Sequence, residues 1–140
     1  MDRAAATLSI EAGVIMRNLF KKLSQSLKDN AYIAGEESAW YRDDALGVVE
    51  FCKEQGIAVL GGEVWVPTHP GPTIPTPFIY TWEVDEKISS ESWTQFVGRA
   101  SEMAKKYIEE FSWDPADTLR SQTPMFNLTL ADESEYQCLT

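Results

Sequence analysis

Ile57-Ala58-Val59-Leu60-Gly61-Gly62-Glu63-Val64-Trp65-Val66 is the stretch on which the fold turns. Its aliphatic and β-branched residues predict a strand. The glycine pair within it predicts a bulge or the close approach of another backbone. A second strand follows from Phe78 to Val84, with Phe78, Tyr80, Trp82 and Val84 pointing one way and Ile79, Thr81 and Glu83 the other. The two strands are expected to form an antiparallel hairpin. Their connection, residues 67–77, holds five prolines in eleven residues, which predicts a stiff excursion rich in polyproline II conformation. Such a length suits a functional loop and a tolerated insertion equally well.

Upstream, Ala45, Leu46, Val49 and Cys52 fall on a helical pattern that Gly56 closes as a C′ residue, with Ser38 or a neighbour as its cap. Before it, Asp29, Asn30 and Gly35 read as a loop, and Ala12, Met16, Leu19, Leu23 and Leu27 mark an amphipathic helix over residues 9–28. Downstream, Ser89 or Ser90 is expected to open the longest helix, nearly six turns with Trp93, Val97, Ala100, Ala104, Tyr107 and Phe111 in one stripe, widened by Phe96, Met103 and Ile108. Phe126, Leu128 and Leu130 then alternate with Asn127 and Thr129 as a half-buried strand, and the last ten residues read as a frayed acidic tail. The order α-α-β-β-α-β predicts an α+β fold: a small, mostly antiparallel sheet with helices packed on one face, in a single domain over residues 1–140.

The charge balance narrows the partners. With 22 acidic against 12 basic side chains the chain carries −10, and residues 31–140 carry −12, which opposes a phosphate backbone and favours a basic protein surface. Nucleic acid is excluded as the expected partner. No apolar run is long enough to span a membrane, and Glu11, Gly13 and Arg17 interrupt the one near the start, so neither an export signal nor a membrane association is expected. The two cysteines, Cys52 and Cys138, form no disulfide framework and read as reduced thiols of a cytoplasmic protein.

Catalytic chemistry finds little to stand on. The one histidine, His69, sits alone in the proline-rich loop, and Cys52 lies in an apolar helical pattern that suits a buried thiol better than a nucleophile. Gly61-Gly62 has neither the lysine of a phosphate loop nor the spacing of a dinucleotide fingerprint. The acidic pairs Glu36-Glu37, Asp43-Asp44 and Glu109-Glu110 read as solvated charge, since adjacent carboxylates do not share a helical face. No catalytic residue, metal or cofactor is assigned. If Tyr80 and Trp82 pack beneath the helices, then Glu83 and Asp85 face outward, and Glu63 and Trp65 of the paired strand share that face. Glu63, Trp65, Glu83 and Asp85 are the expected partner-binding patch: carboxylates to hold Arg or Lys around an aromatic anchor. The other reading of Trp65 is that the proline-rich loop or the C-terminal strand covers it.

From Ala45 through Gly56-Ile57-Ala58-Val59-Leu60-Gly61-Gly62-Glu63-Val64-Trp65, and again at Tyr80-Thr81-Trp82, the chain resembles the immunity protein 40 family of bacterial polymorphic toxin systems. The shared pattern is a helix running into a glycine turn, then an aliphatic strand leading to a Gly-Gly-acidic-Val-aromatic motif. Glu63 and Trp65 stand where the family pattern has an aspartate and a tyrosine. The resemblance implies an α+β protein that binds and inactivates a cognate toxin in the producing cell, with no active site of its own. Two alternatives remain at this point. One is a small enzyme or metabolite-binding domain using the Gly61-Gly62-Glu63 turn. The other is an adaptor presenting Pro67-x-x-Pro70 and Pro72-x-x-Pro75 to an aromatic groove.

Overall fold

The computed structural model describes residues 18–67, 74–75 and 80–139. Residues 18–22 are helical, but the expected single helix breaks at Leu23 and Ser24; its positions 9–17 lie outside the described residues. Ser24 caps a separate short helix, α1 (Gln25–Asp29), its hydroxyl accepting from the Leu27 amide at 3.3 Å. Leu19 and Leu23 are buried and Leu27 partly so, as the apolar spacing requires.

Strands β1 (Tyr32–Ala34) and β2 (Glu37–Tyr41) occupy the segment read as loop and cap. Ser38 is a buried strand residue, not a cap. The physical reason is Trp40, which is fully buried and donates its indole N–H to the Leu27 carbonyl at 2.8 Å. Burying that ring outweighs the modest capping preference of a serine. Helix α2 (Arg42–Glu54) consequently starts at a Tyr41 cap with no side-chain hydrogen bond, while Asp43 and Asp44 in its first turn suit the positive end of the helix dipole. Gly56 follows its end at φ +71°, the C′ position expected for it.

The expected hairpin forms. β3 (Ala58–Val66) pairs antiparallel with β5 (Thr81–Glu83), placing Gly61 opposite Glu83 and Glu63 opposite Thr81. Part of the proline-rich connection also joins the sheet, as β4 (Ile74–Pro75) beside Trp65 and Val66. His69 and Phe78 lie outside the described residues. The antiparallel sheet runs β1-β2-β6-β3-β4, with β5 also on β3. β6 (Met125–Ala131) is thus a central strand, and the half-buried alternation expected of it is overturned: neighbours on both edges and cover on both faces bury even Asn127, whose Nδ2 donates to the Ser38 carbonyl at 3.2 Å.

The glycine pair is explained by backbone crowding. A Cβ on Gly61 would meet the Trp82 carbonyl oxygen, and one on Gly62 the Asn127 carbonyl oxygen. The register of β3 against β6 shifts between Val59 and Gly61, the bulge the sequence predicts.

Helix α3 (Trp93–Glu110) is five turns rather than nearly six, and Ser92 opens it, later than the expected Ser89 or Ser90. Ser92 and Gln95 form a reciprocal capping box: the Ser92 hydroxyl accepts from the Gln95 amide at 3.1 Å, and the Gln95 side chain accepts from the Ser92 amide at 2.8 Å. Its buried stripe is Phe96, Val97, Ala100, Ser101, Ala104 and Ile108. Trp93 and Phe111 are only partly buried, and the Trp93 indole N–H donates to the Gly56 carbonyl at 2.8 Å. The main core joins α2 (Val48, Val49, Cys52) and the second half of α3 to Trp40, Val64, Phe126 and Leu128 of the sheet. Tyr80 and Trp82 pack into it as expected, Trp82 stacking on Tyr107 at 4.7 Å between ring centres.

Arg42 ties the two halves of this core. Its Nε donates to the Ile108 carbonyl at 3.0 Å and its Nη2 to the Phe111 carbonyl at 2.9 Å, so a cation from the start of α2 satisfies the exposed carbonyls at the end of α3. Charge-assisted bonds of this kind contribute about 1.5–3 kcal/mol. Arg42→Ala is therefore expected to lower unfolding free energy by that order in urea titration, with Arg42→Lys recovering little because it cannot reach both carbonyls as a fork.

The C-terminal segment is a helix, α4 (Glu133–Leu139), and not the frayed tail expected from its acidic composition. Tyr136 decides this by packing against Trp93 and Phe96, at 5.7 and 5.0 Å between ring centres.

Candidate functional site: the outer sheet face and the loop after β5

Alternation along the strands turns Glu63, Trp65, Thr81 and Glu83 away from the Val64 and Trp82 side that meets the helices. Neighbouring strands add Tyr32, Ala39 and Asn127 in register with Glu63, and Met125 in register with Trp65. Glu37, two residues before Ala39, lies on this same face. The face therefore carries carboxylates from three strands around a buried row of Ala39, Trp65, Met125 and Asn127.

The expected patch is partly assembled. Glu63 and Glu83 share the face, and Asp85 is exposed just past the end of β5. Trp65 shares it as well but is 3% exposed, packed with Ala39 and Met125 and edge-on to Tyr32 at 6.4 Å. Its indole N–H points to Glu63 Oε1 at 3.4 Å, so Trp65 supports the carboxylate from below. Glu37 escaped the sequence reading, which took it as solvated charge. The surrounding protein desolvates its carboxyl, and the nearby Glu63 charge adds repulsion; both raise its pKa. The signal that would have found it is the alternation of Glu37, Ala39 and Tyr41 against Ser38 and Trp40, five residues of period two.

The loop from β5 to α3 continues this acidic surface past Asp85 and Glu86, both exposed. Arg99 of α3 pins it: Nη1 donates to the Asp85 carbonyl at 3.1 Å and Nη2 to the Glu86 carbonyl at 2.9 Å. The same guanidinium holds Glu91 in a fork at 2.7 and 2.8 Å. Glu91 Oε1 in turn accepts from the Ile88 amide at 3.0 Å, and the Tyr136 hydroxyl accepts from the Lys87 amide at 2.9 Å. These contacts hold the Glu91 carboxyl at about 2, with the Arg99 hydrogen bond the largest cause and the Ile88 amide next. A folded-state pKa below the unfolded value means a contribution to stability present above about 4.5 and lost as pH falls toward about 2. Glu91→Gln is expected to flatten the stability profile across that window, measured as urea midpoints at successive pH values. An unchanged slope would show that the fork carries no linkage.

Of the two catalytic candidates, His69 lies outside the described residues. Cys52 is buried among apolar side chains, and burial pushes its thiol up to about 12, so it stays protonated. Among the described residues no group of three His, Cys, Asp or Glu side chains is placed to hold a metal, and no helix is long and apolar enough to cross a membrane. A cleft beside residues 18–22 is lined by Leu19, Lys22, Gln55, Ile57 and Asp132 and includes none of Gly61, Gly62 and Glu63.

Fold and face together define an acidic α+β protein built on one antiparallel sheet, with carboxylates along the edges of its outer face and the main core beneath the other. Residues 26–129 match the family model described as Immunity protein 40, and the chain belongs to that family. The sequence resemblance at the glycine motif and at Tyr80-Thr81-Trp82 thus extends over most of the chain. No curated protein and no solved structure matches it.

Proposed function

We propose that residues 1–140 act as a single immunity domain that binds and neutralises a cognate bacterial toxin in the cytoplasm of the producing cell, without catalysis. Membership of the immunity protein 40 family carries this reading. The outer sheet face is its contact surface: Glu37, Glu63 and Glu83, continued by Asp85, meet basic residues of the toxin, while buried Trp65 keeps Glu63 in place. Two features support that choice of face. The residues from 31 onward carry −12, which accelerates encounter with a basic partner. Partial desolvation of Glu37, with the Glu63 charge two strands away as a lesser cause, disfavours its ionised form in the free protein, and an arriving cation relieves both.

The test is co-expression with the toxin domain encoded by the adjacent reading frame. Cells are expected to survive only when this protein is present, and the two purified chains to form a stoichiometric complex whose association slows with added salt. His69→Ala is expected to protect as well as wild type. A toxin that stays active in the presence of the folded protein defeats the proposal.

A further inference from the structure

Among large apolar side chains of the described residues, Ile33, Tyr41 and Ile88 stand out as exposed. Ile88 differs in its setting. It is 58% exposed, yet the backbone beneath it is fixed from three sides: Arg99 holds the two carbonyls at 85 and 86, Tyr136 holds the Lys87 amide, and Glu91 holds the Ile88 amide. The Ile88 carbonyl is also engaged, accepting from the Glu91 amide at 3.0 Å. A solvent-facing connection between a strand and a helix does not need so many bonds to span its gap. Their combined effect is to present one aliphatic side chain on a backbone that has already lost its freedom, so little ordering cost remains when it is buried in a partner.

Around that side chain three exposed carboxylates outnumber the one lysine. Glu83, Asp85 and Glu86 precede it; of the two cations beside it, Lys87 turns its ammonium to the Ile88 carbonyl at 3.5 Å, and Arg99 is spent on Glu91 and the loop carbonyls. An apolar centre with a charged rim is the arrangement of an interface anchor, in which the centre gives affinity and the rim gives orientation and rate.

We infer that the loop over residues 84–91 is a preorganised docking epitope, in which Ile88 inserts into an apolar pocket of the toxin whose rim is basic and meets Glu83, Asp85 and Glu86. This rests on the immunity reading and adds an aliphatic anchor on a fixed backbone beside the sheet face, where Trp65 is buried.

The test uses the full chain and the toxin domain of the adjacent reading frame, with dissociation constants measured at fixed salt. Ile88→Asp is expected to weaken binding by at least about thirtyfold, the scale of a hot spot. Ile88→Ala should fall in the same direction, and neither change should move the thermal midpoint appreciably. Ile33→Asp, at an equally exposed isoleucine (59%) on β1, should bind within about twofold of wild type. Arg99→Lys keeps the charge but loses the fork; it should speed hydrogen exchange at the amides of Lys87 and Ile88 and weaken binding about tenfold. Wild-type-like binding by Ile88→Asp, or an equal loss with Ile33→Asp, overturns the epitope while leaving the immunity function standing. Failure of the wild-type chain to bind that toxin removes both.

Discussion

Gly62→Ala is expected to cost about 3 kcal/mol or more, the upper part of the range for forced overpacking, and to leave a substantial unfolded fraction in a domain of ordinary stability. The methyl group would press on the Asn127 carbonyl of the central strand β6, a backbone atom that cannot swing aside as a side-chain tip could. Relief requires β3 and β6 to part, and those strands carry Val64, Phe126 and Leu128 of the main core. Gly98 supplies the opposite case. It lies within α3 and a Cβ there meets nothing within 4 Å, so Gly98→Ala should stabilise by up to about 1 kcal/mol through helix propensity. Thermal and urea unfolding of the two variants should therefore move in opposite directions. If Gly62→Ala folds as stably as wild type, the close approach of the two strands is not what selects glycine, and a ligand-contacting role for the pair would regain ground.

Reversing Glu37 and Glu63 together to lysine is expected to weaken toxin binding by at least about a hundredfold, because like charges would then face each other across a desolvated contact. The single change Glu37→Gln separates the two roles of that residue. Its carboxyl is held above the ordinary range by desolvation and by Glu63, so its ionised form opposes folding as pH rises through the elevated pKa. Glu37→Gln should leave the free protein as stable as before or more so at neutral pH, and yet bind toxin more weakly and with a shallower salt dependence. Reversals at Glu109 and Glu110, exposed near the end of α3, provide the comparison for overall charge. Loss of binding from those changes as large as from Glu37 and Glu63 would leave general steering as the whole electrostatic effect.

The sequence alone determined the parts whose causes are local or periodic. Alternation in β5, the three- and four-residue spacing of α3, the glycine after α2 and the glycine pair in β3 each impose their conformation through covalent geometry or through a single buried stripe. The pairing of β3 with β5, and the placing of Glu63 and Glu83 on one face, followed from those periods. The tertiary structure decided what depends on distant partners. Trp40 reaching the Leu27 carbonyl made a strand of a segment rich in capping and turn residues, and Tyr136 meeting Trp93 and Phe96 made a helix of an acidic tail. Insertion of β6 between β2 and β3 buried Asn127, while Trp65 packed with Ala39 and Met125. The acidic face and the clamped loop belong to this second group. Glu37 comes onto one face with Glu63 only once β6 lies between their strands, and Arg99 meets the carbonyls of residues 85 and 86 only once α3 has packed, because these placements are set by strand order and helix docking rather than by any interval along the chain.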